Sequence, residues 1–551
     1  MIERDSSYHF TVISCLLALL FHRYDALLPK TCISSDILSS KECCPLASGT
    51  AEQCGGPGRG RCEDLQVQVT DVTDGFDGDK ERFQWPTTFF NRTCHCFGNF
   101  EGVDCSMCKF GWTGPNCDVK RQRVRRNILQ MGKDDVEKFK RYLLMAKDTV
   151  SDYMIPTTLY QDMDDGRNPQ FNEINVYDQF VWYHYYVARQ NLVQTTQTNT
   201  NIEKSSVFAD FAHEGPAFLT WHRAYLLTWE RALREVSGDD DFTIPYWDWA
   251  GESDCNVCTD EYFGGSDATD NNTLTGSFEN WRTLCADFEN LSERGQLCSN
   301  NVNESSLPFL TRNPGGNERP QLQKLPSKEA VYYALSVRDY DNLPRDYDYL
   351  DNNWTQSDCS FRNLLEGFAD SEHRTGLHVR NGEVTQLHNS VHLYLNGTMS
   401  LVPTSANDPM FLVHHVNIDR IFEKWLRRHG ATRDEFPSKS TPTGHSRYSY
   451  MVPFFPVYTN NEFFQRSENF GYTYEGIDDQ GLPLDSNERE LELKAVNQME
   501  KCKPITPPDD YSFDFTLLIL IAVCGAILFL LVLIIVAFCC CCKSRSGYEK
   551  V

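Results

Sequence analysis

The chain has 551 residues, 40% of them hydrophobic and 23% charged, which is ordinary for a globular protein and enough for a large core with accessory modules. Its 77 acidic residues against 52 basic ones leave a net charge of −25. That balance excludes nucleic acid and anionic lipid surfaces as principal partners.

In chain order, the first feature is the uncharged apolar run FTVISCLLALLF, Phe10 to Phe21, too short to span a bilayer comfortably. It predicts a secretory signal over residues 1–28, with an uncleaved anchor as the other reading. Residues 29–119 form a cysteine-rich segment with Cys32, Cys43, Cys44, Cys54, Cys62, Cys94, Cys96, Cys105, Cys108 and Cys117. Pieces such as CGGPGRGRC leave little apolar material, so disulfides are expected in place of a core. CKFGWTGPNC resembles an EGF-like module. Zinc at Cys105 and Cys108 is the alternative, less suited to an oxidising compartment. Six N-x-S/T sequons, at Asn91, Asn271, Asn290, Asn303, Asn353 and Asn396, point to a glycosylating lumen.

Composition changes at residue 120, where KRQRVRR reads as a solvated linker face ahead of a helical period. NVYDQFVWYHYYVARQN, aromatic on all sides, predicts a helix buried on most faces and carrying His184 inward. In FAHEGPAFLTWHRAYLLTWE, His213 and His222 are nine apart and would point to opposite sides of one continuous helix. Pro216 is therefore expected to start the helix, leaving His213 on the entering loop. DFTIPYWDWA reads as a core corner, Cys255, Cys258, Cys285 and Cys298 as disulfides rather than zinc ligands, and LTRNPGGNERPQLQKLPSKE as a long surface loop.

The central stretch is QLHNSVHLYLNGTMSLVPTSANDPMFLVHHVNIDRIFEKW, Gln386 to Trp425. His388 and His392, four apart, share one helix face. A second helix, opened by Asp408 and Pro409 and stopped by Gly430, brings His414 and His415. Six of the 14 histidines thus fall into two sets of three, each with two close in sequence and one remote, which suggests two metals side by side. Spacing alone does not choose between His414 and His415. Residues 475–514 read as an acidic stalk. Residues 515–538, 24 without a charge, predict a transmembrane helix with a lumenal body and a cytoplasmic tail at 539–551. In that tail Cys539 to Cys542 are candidates for palmitoylation, and Tyr548 with Val551 fits a tyrosine-based sorting signal read by cytosolic adaptors. Cys359 and Cys502, left over in the lumenal part, are expected to pair.

Both histidine blocks resemble the two copper-binding motifs of the tyrosinase and tyrosinase-related protein family, and the resemblance covers nearly the whole chain. It implies a mainly α fold: a four-helix-bundle dicopper domain at 120–474, a disulfide-rich EGF-like N-terminal subdomain and the single C-terminal membrane helix. It implies one copper on His184, His213 and His222 and a second on His388, His392 and His415, with molecular oxygen as co-substrate. Monophenols such as L-tyrosine would be hydroxylated and o-diphenols such as L-DOPA oxidised to o-quinones, the first steps to melanin, in a melanosome or related organelle. Glu366 and Asn389 match the family's water-orienting pair, and Phe368, Leu393, Val402 and Ser405 match positions bordering its substrate pocket. The alternatives are a zinc-dependent relative such as a dopachrome tautomerase and a non-catalytic dicopper oxygen carrier. The doubled histidine of VHHVNIDR favours the copper oxidase.

Overall fold

The computed structural model describes residues 26–65, 80–156, 171–189, 210–267, 269, 272–286, 298, 307–341, 347–348, 353–354, 360–368, 386–438 and 441–498. Seven helices matter for the site. They are α1 (Lys133–Asp148), α2 (Val176–Ala188), α3 (Ala217–Ser237), α4 (Phe361–Glu366), α5 (Leu387–Leu395), α6 (Met410–His429) and α7 (Ser486–Gln498).

Their ends follow the local sequence. Asn175 caps α2 by accepting the Asp178 amide at 2.7 Å, and Ser360 caps α4 by accepting the Asn363 amide at 3.1 Å. Pro216 precedes α3 as expected, leaving His213 on the loop before it. Helices α3, α4 and α6 stop at Gly238, Gly367 and Gly430, each in the left-handed region that a Cβ disfavours. Every residue of α2 is buried. Trp182, Trp221, Trp229, Trp247, Trp249 and Trp425 are all fully enclosed in the core, with Trp229 stacked on Phe180 at 4.1 Å between ring centres.

A buried ionic net ties α3 to α6. Arg125 reaches Glu230 of α3 at 2.8 Å and Asp419 of α6 at 2.9 Å, and Arg223 of α3 reaches Asp419 at 2.5 Å and Glu423 at 3.3 Å. Tyr472 and Tyr474 both donate to Asp419 at 2.6 Å. Burial alone would raise the Asp419 carboxyl, but the charges of Arg223 and Arg125 outweigh it and hold the group below its ordinary value. The arginine run expected as a solvated linker is therefore half wrong. Arg125 turns inward because the strand Arg123–Arg125 pairs in parallel with Tyr472–Tyr474 and faces these carboxylates.

The cysteine-rich segment carries five disulfides: Cys32–Cys43, Cys44–Cys62, Cys54–Cys94, Cys96–Cys105 and Cys108–Cys117. Cys255–Cys258 and Cys285–Cys298 add two more, so none of these cysteines is a zinc thiolate. The segment does not stand apart from the helical body. Phe83, Trp85, Phe89 and Phe90 join the main core, and Leu28–Pro29 pairs with Met154–Tyr153. Ala26, Leu27 and Leu28 are fully buried, so a boundary at residue 28 falls inside the folded body.

One further expectation is corrected. Residues 475–498 are not a free stalk: Ile477 is buried, and Glu492 of α7 is enclosed against Lys424 at 2.7 Å and Arg428 of α6. The loop after residue 310 is pinned at Arg312, whose buried guanidinium pairs with Asp408 at 2.6 Å. The signal run, the stalk beyond residue 498, the transmembrane span 515–538 and the tail with Tyr548 and Val551 lie outside the described residues, as do Cys359 and Cys502. Among the described residues no helix is long and apolar enough to cross a membrane. Asn91 is exposed, Asn396 is half-buried and Asn353 lies in a two-residue strand, while Asn271, Asn290 and Asn303 fall outside the described residues.

Candidate metal centre

Helix α2 brings His184, the loop before α3 brings His213, and α3 itself brings His222. The His184 and His213 Nε2 atoms stand 3.2 Å apart, and one nitrogen from each of the three lies within 4.8 Å of the others. The second set is tighter. His388 and His392 of α5 and His415 of α6 place their Nε2 atoms 3.1, 3.2 and 3.3 Å apart. The rings of His222 and His415 stack at 4.4 Å and 16°, so the two sets lie side by side. Phe411 sits between them, 4.0 Å from the His415 ring and 4.8 Å from that of His184.

In four of the six rings the other nitrogen fixes the tautomer. Nδ1 of His213 faces the Asp210 carboxylate at 2.9 Å, Nδ1 of His222 donates to the Phe218 carbonyl at 2.8 Å, and Nδ1 of His392 donates to the Met399 carbonyl at 2.9 Å. Nδ1 of His388 donates to Asn389 Oδ1 at 2.9 Å. With their protons held at Nδ1, these rings turn Nε2 lone pairs toward one another. Lone pairs at such distances repel unless a cation lies between them. The centre of the near-equilateral Nε2 triangle is about 1.9 Å from each nitrogen, close to the usual ~2.0–2.1 Å metal–imidazole distance. The donor set therefore fits a metal, and two all-imidazole sites without a carboxylate suit copper.

Burial, followed by neighbouring imidazoles, pushes His184, His222, His388 and His415 well below the ordinary histidine value. Burial takes His392 down to about 4. These rings are neutral and able to ligate at ordinary pH. His213 differs: burial acts to lower it, but the Asp210 charge and hydrogen bond prevail and raise it.

Comparison with known proteins agrees with this geometry. The family model described as the common central domain of tyrosinase matches residues 174–428, a range holding all six histidines. Tyrosinase of Bos taurus is 43% identical over 457 residues, 82% of each chain, and tyrosinase of Gallus gallus is 42% identical over 462 residues, 82% of this chain and 83% of its own. The 5,6-dihydroxyindole-2-carboxylic acid oxidase of Bos taurus is 38% identical over 84% of each chain. The chain belongs to the tyrosinase family. Among solved structures, a polyphenol oxidase of Thermothelomyces thermophila aligns with a TM-score of 0.42 at 16% identity, covering 64% of this chain and 88% of its own.

As a member of the tyrosinase family the chain is a copper enzyme with tyrosinase activity, served by two copper ions and molecular oxygen. Its acidic and amide candidates lie at the second histidine set. Glu366 ends α4 and is buried; one carboxylate oxygen accepts the Glu214 amide at 2.6 Å and the other pairs with Arg362 at 2.6 Å. Burial raises its pKa against the pull of Arg362. Gly367 lets its chain close on α5, since a Cβ there would stand 2.1 Å from the Gln386 carbonyl oxygen and 3.1 Å from Asn389 Cβ. Phe368 and Ser405 are buried, Leu393 is half-buried and Val402 is exposed.

Spacing left His414 and His415 unresolved, and the family resemblance implied His415. The Trp249 indole N–H donates to His414 Nδ1 at 3.0 Å, so the His414 proton sits on Nε2 and that atom offers no lone pair. Its ring instead stacks on His388 at 5.1 Å. Asp210, Phe411 and the Phe218 and Met399 carbonyls were not anticipated. The spacing of Asp210 to His213 was a usable signal, because a carboxylate three residues ahead on a loop can reach the ring; carbonyls carry none.

Proposed function

We propose that the chain oxidises L-tyrosine and L-DOPA, with one copper held by His184, His213 and His222 and the other by His388, His392 and His415. The observation that carries this is the second triangle of Nε2 atoms, 3.1 to 3.3 Å apart, with the first set stacked against it through His222 and His415. Bound copper supplies oxygen activation and accepts electrons from the phenol. Asp210, the Phe218 and Met399 carbonyls and Asn389 aim the imidazoles, and burial keeps the five other than His213 neutral. Glu366 and Asn389 orient the water that takes the phenolic proton. Glu366 also links the two halves of the site, because its grip on the Glu214 amide joins α4 to the loop carrying His213. Phe368, Leu393, Val402 and Ser405 border the phenol ring. The product o-quinone leads to melanin.

We also infer a type I membrane glycoprotein of a melanosome or related organelle, with an EGF-like element in the disulfide-rich segment, a lumenal catalytic body and a sorting tail. The support is the apolar run 515–538, the six sequons and the Tyr548 to Val551 signal. Elemental analysis of the full chain with L-tyrosine and L-DOPA turnover tests the enzyme reading. Two coppers with turnover upholds it; zinc with dopachrome conversion, or copper with reversible oxygen binding and no turnover, overturns it.

A further inference from the structure

His213 is the one histidine of the six without a helix to fix it, so its position depends on what holds residues 210–217. At one end of this loop the Asp210 carboxylate accepts the Ala212 and His213 amides, both at 2.8 Å, and holds His213 Nδ1 at 2.9 Å. At the other end stands the N-terminus of α3. Between them lies His445, fully buried and more than two hundred residues away in sequence.

The His445 ring spans the loop. Nε2 donates to the Asp210 carbonyl at 2.8 Å, and Nδ1 accepts the Ala217 amide at 3.2 Å. One neutral tautomer satisfies both bonds, and no other residue type presents a donor and an acceptor on opposite sides of a flat ring of that width. The fit is close: a Cβ on Gly215 would stand 2.3 Å from His445 Nδ1, so only glycine lets the loop pass the ring.

His445 is itself anchored. Gly444 lies in the left-handed region at φ 82° and packs so near Phe211 that a Cβ would stand 2.2 Å from that ring. Asn460 donates to the Gly444 and Ser446 carbonyls at 2.9 and 3.0 Å and accepts from Thr220 of α3 at 3.3 Å, two residues before His222. The segment holding His445 is thus fastened to the helix that carries His222, while His445 holds the loop that carries His213.

We infer that His445 is a positioning residue of the first copper site: it sets the distance between His213 Nε2 and the imidazoles of His184 and His222. This rests on the assignment of His213 to the first copper. The ring bonds of His445 go to Asp210 and Ala217 of the His213 loop, and that loop reaches the second histidine set at one remove, through the Glu214 amide on Glu366, so removal of His445 acts mainly on the first site.

The test measures copper per chain, and its retention against a chelator, in the full-length wild type, His445→Leu, His445→Gln and Gly215→Ala. The wild type is expected to hold two coppers. His445→Leu, which loses both bonds, is expected to hold about one, with first-site affinity reduced about 10- to 100-fold, the range for groups that orient a metal ligand. Gly215→Ala, which pushes the same ring from the other side, is expected to match it. His445→Gln, which keeps an amide donor and an acceptor, is expected to recover part of the loss. Two coppers held as firmly in His445→Leu as in the wild type overturn the inference, as does loss of both coppers from a folded variant. If His445→Leu does not fold, Gly215→Ala and His445→Gln decide by the same measure. A wild type with fewer than two coppers removes the dicopper assignment itself, a failure distinct from that of His445.

Discussion

The two histidine sets gather three imidazoles each by different means. The second is built from helices: α5 presents His388 and His392 at a spacing of four, α6 presents His415, and the rings are aimed by Asn389 and by the Met399 carbonyl. The first depends on a loop, and its His213 is aimed by a carboxylate, Asp210, which is why His213 alone is raised in pKa. Helical ligands need little beyond their own turn to keep direction. A loop ligand needs outside fastenings, and a charged one also tunes its basicity.

The sharpest break of this comparison is His392→Ala. It removes a ligand from the helical set alone, so oxidation of L-DOPA should fall by more than about 100-fold, beyond the cost of losing an orienting group, while the fold and the first copper remain. Full activity in that variant would end the assignment.

Next in size is acid sensitivity of the copper-free protein. His184, His222, His388, His392 and His415 have folded values below the unfolded one near 6.5. Below about pH 6.5 the unfolded chain takes up protons that the folded chain refuses, so stability falls as pH drops toward about 4, by about 1 kcal/mol per unit for each such ring. His213, raised, works in the opposite direction. Its contribution is complete below the unfolded value and disappears as pH rises through the folded one. Denaturant midpoints of the copper-free protein between pH 7 and pH 5 should fall steadily; a flat profile would contradict the neutral, buried state of these rings.

Asp210→Asn separates the two sets more finely. An amide keeps the shape but loses the charge, and copper affinity at the first site should drop about 10- to 100-fold with the second unchanged, read by titration against a competing chelator. Gly367→Ala acts on the second site through the backbone. Its Cβ meets the Gln386 carbonyl and the conformation is left-handed, so urea unfolding should report a loss of about 2 kcal/mol. The smallest effect is expected from Val402→Ala, a change at an exposed position, which should alter KM for L-DOPA less than about threefold.

Much of the site was legible because helical periodicity is local. The spacing of His388 to His392 and the proline ahead of α3 follow from a few residues each, and the end at Gly430 follows from glycine's freedom at positive φ. The acidic composition of residues 475–498 misled for the same reason: it describes average solubility and not the single buried Glu492 that docks α7 on α6. Arg125 misled likewise, since a basic run reads as solvated until the carboxylates that enclose it, Glu230 and Asp419, are brought in from distant segments.

By itself the sequence determined which side chains could ligate, which helices carry them and where those helices start and stop, because these rest on chemistry within a turn or two. Only the tertiary structure decided that the indole of Trp249 takes up Nδ1 of His414, that Glu366 is buried between two halves of the site, and that His445 holds the loop of His213. Those outcomes depend on hydrogen-bond partners one to two hundred or more residues away, and no local pattern encodes which distant carbonyl or indole will arrive beside a given ring.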